Sequence, residues 1–191
     1  LHACHDFGLL AKLLPNLDAV WETEEGLMAM QLLTEHNRRV VEDGIPEYLA
    51  TALSAVSAPI FMKSINCAFG EMWEYYHGIE KDIRRCVNHL FHPHRFPKYV
   101  SMSVVEAILL QPRLKEKCKP AKTRSHPHFR IARDLMEIQN AIFWQDEELK
   151  AFWRRRKKKS RKNPTSQQAT STNTAEDSSS PDEPAPPPSL E

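Results

Sequence analysis

The densest chemistry in the sequence is a run of cations. Arg154, Arg155, Arg156, Lys157, Lys158, Lys159, Arg161 and Lys162 place eight positive side chains in nine positions. Such a run repels itself, gains little from folding and favours a negatively charged partner. Three partners fit: the nuclear import machinery, the phosphate backbone of a nucleic acid, and an anionic membrane surface, at about 1 kcal/mol per basic residue near it. A solvated helix end is the simplest competing account, because cations near a helix C-terminus are stabilised by its dipole. Import is the preferred reading, which places the protein in the nucleus, or in the nucleus and cytoplasm.

Cys86, His89, His92 and His94 fall within nine residues. Thiolate and imidazole are zinc ligands, but this spacing matches no zinc motif, and loop histidines beside prolines together with a buried cysteine account for the same residues. His126-Pro127-His128 repeats the pattern of His92-Pro93-His94, and His2, Cys4 and His5 form a looser group. No metal and no cofactor is expected. Cys86 beside a histidine is a pattern that many chains offer a nucleophilic mechanism, and no catalytic residue is assigned. The acidic groups Glu24-Glu25, Glu42-Asp43 and Asp146-Glu147-Glu148 read as solvated helix faces. All five glycines lie within the first 78 residues, and neither GxGxxG nor GxxxxGK[ST] occurs. Phe143, Trp144, Phe152 and Trp153 precede the cations. An apolar face followed by cations suits a membrane-surface helix, and equally a helix docked on a core, which is preferred here.

The elements that must hold these groups are helical by their spacing. Phe7, Leu10 and Leu14 share a face of a first segment, and Asn16 is placed to cap the next. Leu27, Met30, Leu33 and Val40 or Val41 mark that second helix, which should stop near Gly44. Pro46 suits the first turn of a short helix through Val56. From Phe61 to Leu90 apolar residues step by three or four, with Gly78 either kinking the stripe or dividing it. Ser103-Val-Val-Glu106 has capping-box spacing, while the alternation of Val100, Met102 and Val104 leaves a short strand open. Residues 112–128 form a basic, proline-containing connection. Ile131, Leu135, Ile138, Ile142, Leu149 and Phe152 or Trp153 define a last helix, interrupted at Gln145 and expected to run past Lys157.

These segments predict an all-α fold. It is either an irregular helical bundle or a short armadillo/HEAT-like helical array, since helix pairs recur near every 40 residues. The predicted organisation is a helical domain over 1–153, which is either whole or the C-terminal part of a longer helical unit; a polybasic segment over 154–162; and a disordered tail over 163–191, where Leu190 is the only large apolar residue. The chain starts at Leu1 rather than Met, which fits a fragment or a processed product, and its first residues lack the basic region of a signal peptide.

Charge is divided unevenly. Residues 154–162 hold eight of the 26 Lys and Arg, and residues 163–191 hold none of them and five of the 25 acids, so residues 1–153 carry 18 basic and 20 acidic side chains, a net of −2. By composition that region is not a basic surface. Four separated cysteines without a CxxC pair argue for a reducing compartment, and no apolar run approaches a membrane span. The function expected is a non-enzymatic module that docks an unidentified protein partner. A nucleic-acid-associated protein gripping phosphates is the first alternative, and a helical metal-dependent protein or enzyme using Cys86 and its histidines is the second.

Overall fold

The computed structural model describes residues 1–154. The rest of the cationic run, Arg155, Arg156, Lys157, Lys158, Lys159, Arg161 and Lys162, and the tail over 163–191 lie outside the described residues. The fold is all-α: among the described residues there are eleven α-helices, one π-helical turn and no strand.

Three short helices open the chain, α1 (His2–Asp6), α2 (Leu9–Leu13) and α3 (Pro15–Asp18). The predicted first face is split between them: Leu10 is buried, but Phe7 is 79 % exposed. Asn16 lies inside α3 and its side-chain amide donates to the His89 carbonyl instead of capping a helix. The cap of α4 (Glu24–Glu42) is Thr23, whose hydroxyl accepts from the Gly26 amide. Glu24 and Glu25 complement the positive end of the helix dipole. Gly26, Ala29, Leu32, His36 and Arg39 form its buried face. The helix ends at Asp43 as expected, with Gly44 left-handed at φ +62°.

Helix α5 (Leu49–Ser64) begins later and runs further than predicted, straight through Pro59. Its residues from Leu53 to Pro59 are all buried, and a helix apolar all round belongs in the centre of a fold. α4 packs along it, as do α6 (Ile79–Leu90), α7 (Lys98–Leu109) and α10 (Phe129–Gln139). The long stripe from Phe61 to Leu90 is therefore two helices. A loop over 65–78 separates them, with positive φ at Asn66, Gly70 and Gly78. Helix α7 starts at Lys98, which removes the strand option, and Ser103 lies inside it, donating to the Tyr99 carbonyl rather than opening a helix.

The basic connection contains two short helices, α8 (Gln111–Lys115) and α9 (Pro120–Arg124). After α10 come the π-helical turn Asn140–Trp144 and α11 (Glu147–Trp153). The last helix does not run past Lys157: α11 ends at Trp153, and Arg154 already has extended backbone.

Of the two predicted arrangements the chain takes the bundle. Helix α10 packs on α4 and α5 as well as on α7, whereas units of an array touch only their neighbours in sequence. A part-buried ion pair, Arg39 with Glu137, ties α4 to α10, and Arg39 also donates to the Asp134 carbonyl at 3.3 Å. No described helix is long and apolar enough to cross a membrane.

Candidate nucleic-acid interface

The arginines that converge in the fold come from the basic connection and the start of α10. Residues 111–130 contain seven Lys or Arg and one acid, Glu116. Prolines stand in the first turns of α8 and α9, where their missing N–H costs nothing, and left-handed Lys117 and Lys119 separate the two helices. The segment is anchored from below by Leu114 and Thr123, both buried, and by Gln111, whose amide donates to the Ala107 and Ala132 carbonyls. Its cations are left outside.

The chain beyond α10 turns back to complete the site. Gln145 adopts a left-handed conformation, φ +50°. The Asn140 side chain brackets the turn, donating to the Asp146 carbonyl at 3.1 Å and accepting from the Asp146 amide at 3.0 Å. Asp146 then caps α11 by accepting from the Leu149 amide at 2.9 Å. This reversal brings Trp153 onto α8, where its indole N–H donates to the Leu114 carbonyl at 2.8 Å and its ring is buried beside Phe129. The predicted core packing of the aromatic cluster holds for Trp153. Phe143 and Trp144 are half-buried, and Phe152 is exposed.

The result is a cleft of about 420 Å³ lined by Arg124, Phe129, Arg130, Arg133 and Trp153. The Arg124 guanidinium lies 5.1 Å from the Trp153 ring and 5.2 Å from Phe152, and donates to the Phe152 carbonyl at 2.6 Å. Arg130 stacks 4.8 Å over Tyr48. Arg133 is held by Asp134 at 2.9 Å and Glu137 at 3.6 Å. No carboxylate lines the cleft, and among the described residues neither Arg124 nor Arg130 has an acidic partner. Lys117 lies 5.8 Å from Phe152, the ring that Arg124 also contacts, and Lys115 on α8 lies 4.0 Å over Trp144. Burial lowers the Lys115 pKa below the usual lysine value.

Guanidinium groups resting on rings are pre-oriented, keep their charge and present donors in a plane that matches phosphate oxygens. The arrangement is therefore suited to phosphate, and Arg154 follows Trp153 directly in the sequence.

Residues 71–186, more than half of the chain, match the family described as Polymerase A arginine-rich C-terminus. The chain belongs to this family. Eleven of its thirteen arginines fall within the matched residues, all but Arg38 and Arg39. No curated protein and no solved structure matches the chain.

Of the residues singled out in the sequence, only Arg154 in the cationic run is described, and it is exposed. Cys86 is half-buried, and burial pushes its thiol up to about 11, so it keeps its proton at neutral pH. His94 is turned to the Leu13 carbonyl, 3.0 Å away, while His89 and His92 line a surface groove on α6. The described residues bring together no group of three or more histidine, cysteine or acidic side chains suited to a metal ion. His126 and His128 are tied to α7 instead, His126 beside Glu106 at 3.7 Å and His128 beside the Ser103 hydroxyl at 3.1 Å.

Sequence reasoning passed over Arg124, Arg130, Arg133 and Phe129 as site residues. The available signal was the local ratio of seven cations to one acid over 111–130, which the net charge of −2 over 1–153 conceals.

Proposed function

We propose that the chain is the nucleic-acid-contacting C-terminal part of a poly(A) polymerase, and that it binds strand phosphates rather than making or breaking bonds. The family match supports the association with such a polymerase. The observation that carries the contact surface is the cleft itself: three arginines and two aromatic rings, with no acid in its lining. Under this reading the cations of 154–162 are a second source of phosphate contacts, read from the sequence alone, and the expected protein-docking role becomes docking on nucleic acid.

The test is binding of a fluorescent oligoadenylate to the full chain and to the Arg124→Gln/Arg130→Gln variant across a salt series. On a single strand, removing one cation that neutralises a phosphate lowers the slope of log affinity against log salt by about 0.7. The double variant is therefore expected to bind more weakly, with a slope reduced by about 1.4. An unchanged slope in a folded variant would remove the cleft from the interface.

A further inference from the structure

A second basic surface lies on α6. Lys81, Arg84, Arg85, Asn88, His89 and His92 line an open groove of about 440 Å³. Their spacing of three and four places them along one side of the helix, away from Ile79, Ile83, Val87 and Leu90, which face the core. At 1.5 Å per residue, the helical part of this line, Lys81 to His89, covers about 12 Å, an axial distance holding about three phosphates of one strand at about 3.4 Å spacing.

The local charge is what separates this groove from an ordinary solvated helix face. The two acids of α6, Glu80 and Asp82, sit in its first turn, where the dipole favours them. Glu80 is 2.6 Å from Arg84; Asp82 is 3.3 Å from Arg85 and also accepts from the Tyr76 hydroxyl. Lys81 has no acidic partner among the described residues. Beyond the first turn the negative charge stops: residues 83–105 contain no Asp or Glu, but hold Arg84, Arg85, Arg95 and Lys98 with three histidines. Arg85, Asn88, His89, His92, Arg95 and Lys98 are all exposed. Exposed ion pairs of the Arg84–Glu80 kind hold their cations weakly, on the order of 1 kcal/mol or less, so a polyanion can compete for them.

From these observations we infer that the α6 groove is a second contact for the phosphate backbone of nucleic acid, separate from the arginine cleft. It deepens the reading of the domain as nucleic-acid-contacting and rests on it. Because α6 and α10 both pack on α7, a rigid core joins the two surfaces, and a strand long enough to reach both would gain from their linkage.

The experiment compares full-length wild type with Lys81→Gln/Arg84→Gln/Arg85→Gln, using the same labelled oligoadenylate and salt series. The expected result is weaker binding and a salt slope reduced by about 2, at about 0.7 per phosphate neutralised. Lys81→Gln alone releases no carboxylate and is expected to reduce the slope by about 0.7. Circular dichroism on each variant checks the fold. Slopes equal to wild type in both variants would overturn the inference, and so would a loss seen only on phosphatidylserine vesicles. If Arg124→Gln/Arg130→Gln lowers the slope while the α6 variants do not, the second site fails and the domain's reading stands; wild-type slopes in all three variants would sink both.

Discussion

At the scale of single residues, burial decides which titratable groups take part in chemistry. Cys86 is the natural nucleophile or ligand by its neighbours in sequence, yet its raised pKa keeps it protonated, and His94 turns to the Leu13 carbonyl. His36 shows the same effect on stability. Its imidazole lies in the buried face of α4 and its Nε2 has no hydrogen-bond partner among the described residues. Burial, and then the Arg39 charge, hold its pKa below the ordinary value, against the opposing pull of Glu47 and Asp134. The folded chain therefore takes up this proton less readily than the unfolded chain. As pH falls from about 6.5 towards the lower folded value, only the unfolded state becomes protonated, so this stabilisation is lost across that window. Thermal melts at about pH 7.5 and about pH 5.5 are expected to show a larger drop in Tm for wild type than for His36→Leu, where that titration is gone. Equal drops would mean His36 titrates alike in both states.

At the scale of elements, apolar spacing is a good guide to which stretches are helical and a poor one to where they stop. The face Ile79, Ile83, Val87 and Leu90 is buried as its spacing requires. The continuation back to Phe61 misleads, because residues 65–78 form a loop whose positive φ angles depend on tertiary packing: Gly70 lies under Phe143, and its carbonyl accepts from the Trp144 indole at 2.6 Å. Pro59 favours a helix break by local preference and lies within a helix, because burial on all sides of α5 outweighs that preference. Gly26 carries the same lesson in reverse. By propensity, alanine in a helix is better than glycine by about 1 kcal/mol. A Cβ at position 26, however, would sit 1.9 Å from the Val20 carbonyl oxygen and 2.7 Å from that of Trp21, both backbone atoms. Gly26→Ala is thus expected to lose about 1–3 kcal/mol, as overpacked sites do, seen as a lower urea midpoint. A variant as stable as wild type would show that the turn before α4 can move aside.

At the scale of the whole molecule, the distribution of charge matters more than its sum. The region 1–153 is slightly acidic overall, yet α4 carries much of its ion pairing, with Arg38 held between Glu35 and Glu42, while residues 111–130 are strongly basic. The all-α class is legible in the sequence because helical periodicity is a local property. The bundle is not separable there from an array, because that distinction rests on pairs such as Arg39 and Glu137, nearly a hundred positions apart. The cleft is half legible: its cations stand in one stretch of sequence, but the return of α11 that sets Trp153 beneath Arg124 depends on the left-handed turn at Gln145 and the Asn140 bracket around it.

We propose that nucleic acid engages the folded cleft and not the cationic run alone. A ¹H–¹⁵N correlation spectrum of the full chain, titrated with oligoadenylate, tests it directly. Binding in the cleft is expected to produce saturable shifts at the Phe129 and Arg130 amides and at the Trp153 indole N–H. Shifts limited to residues 154–162, with those three signals unmoved at saturation, would contradict it.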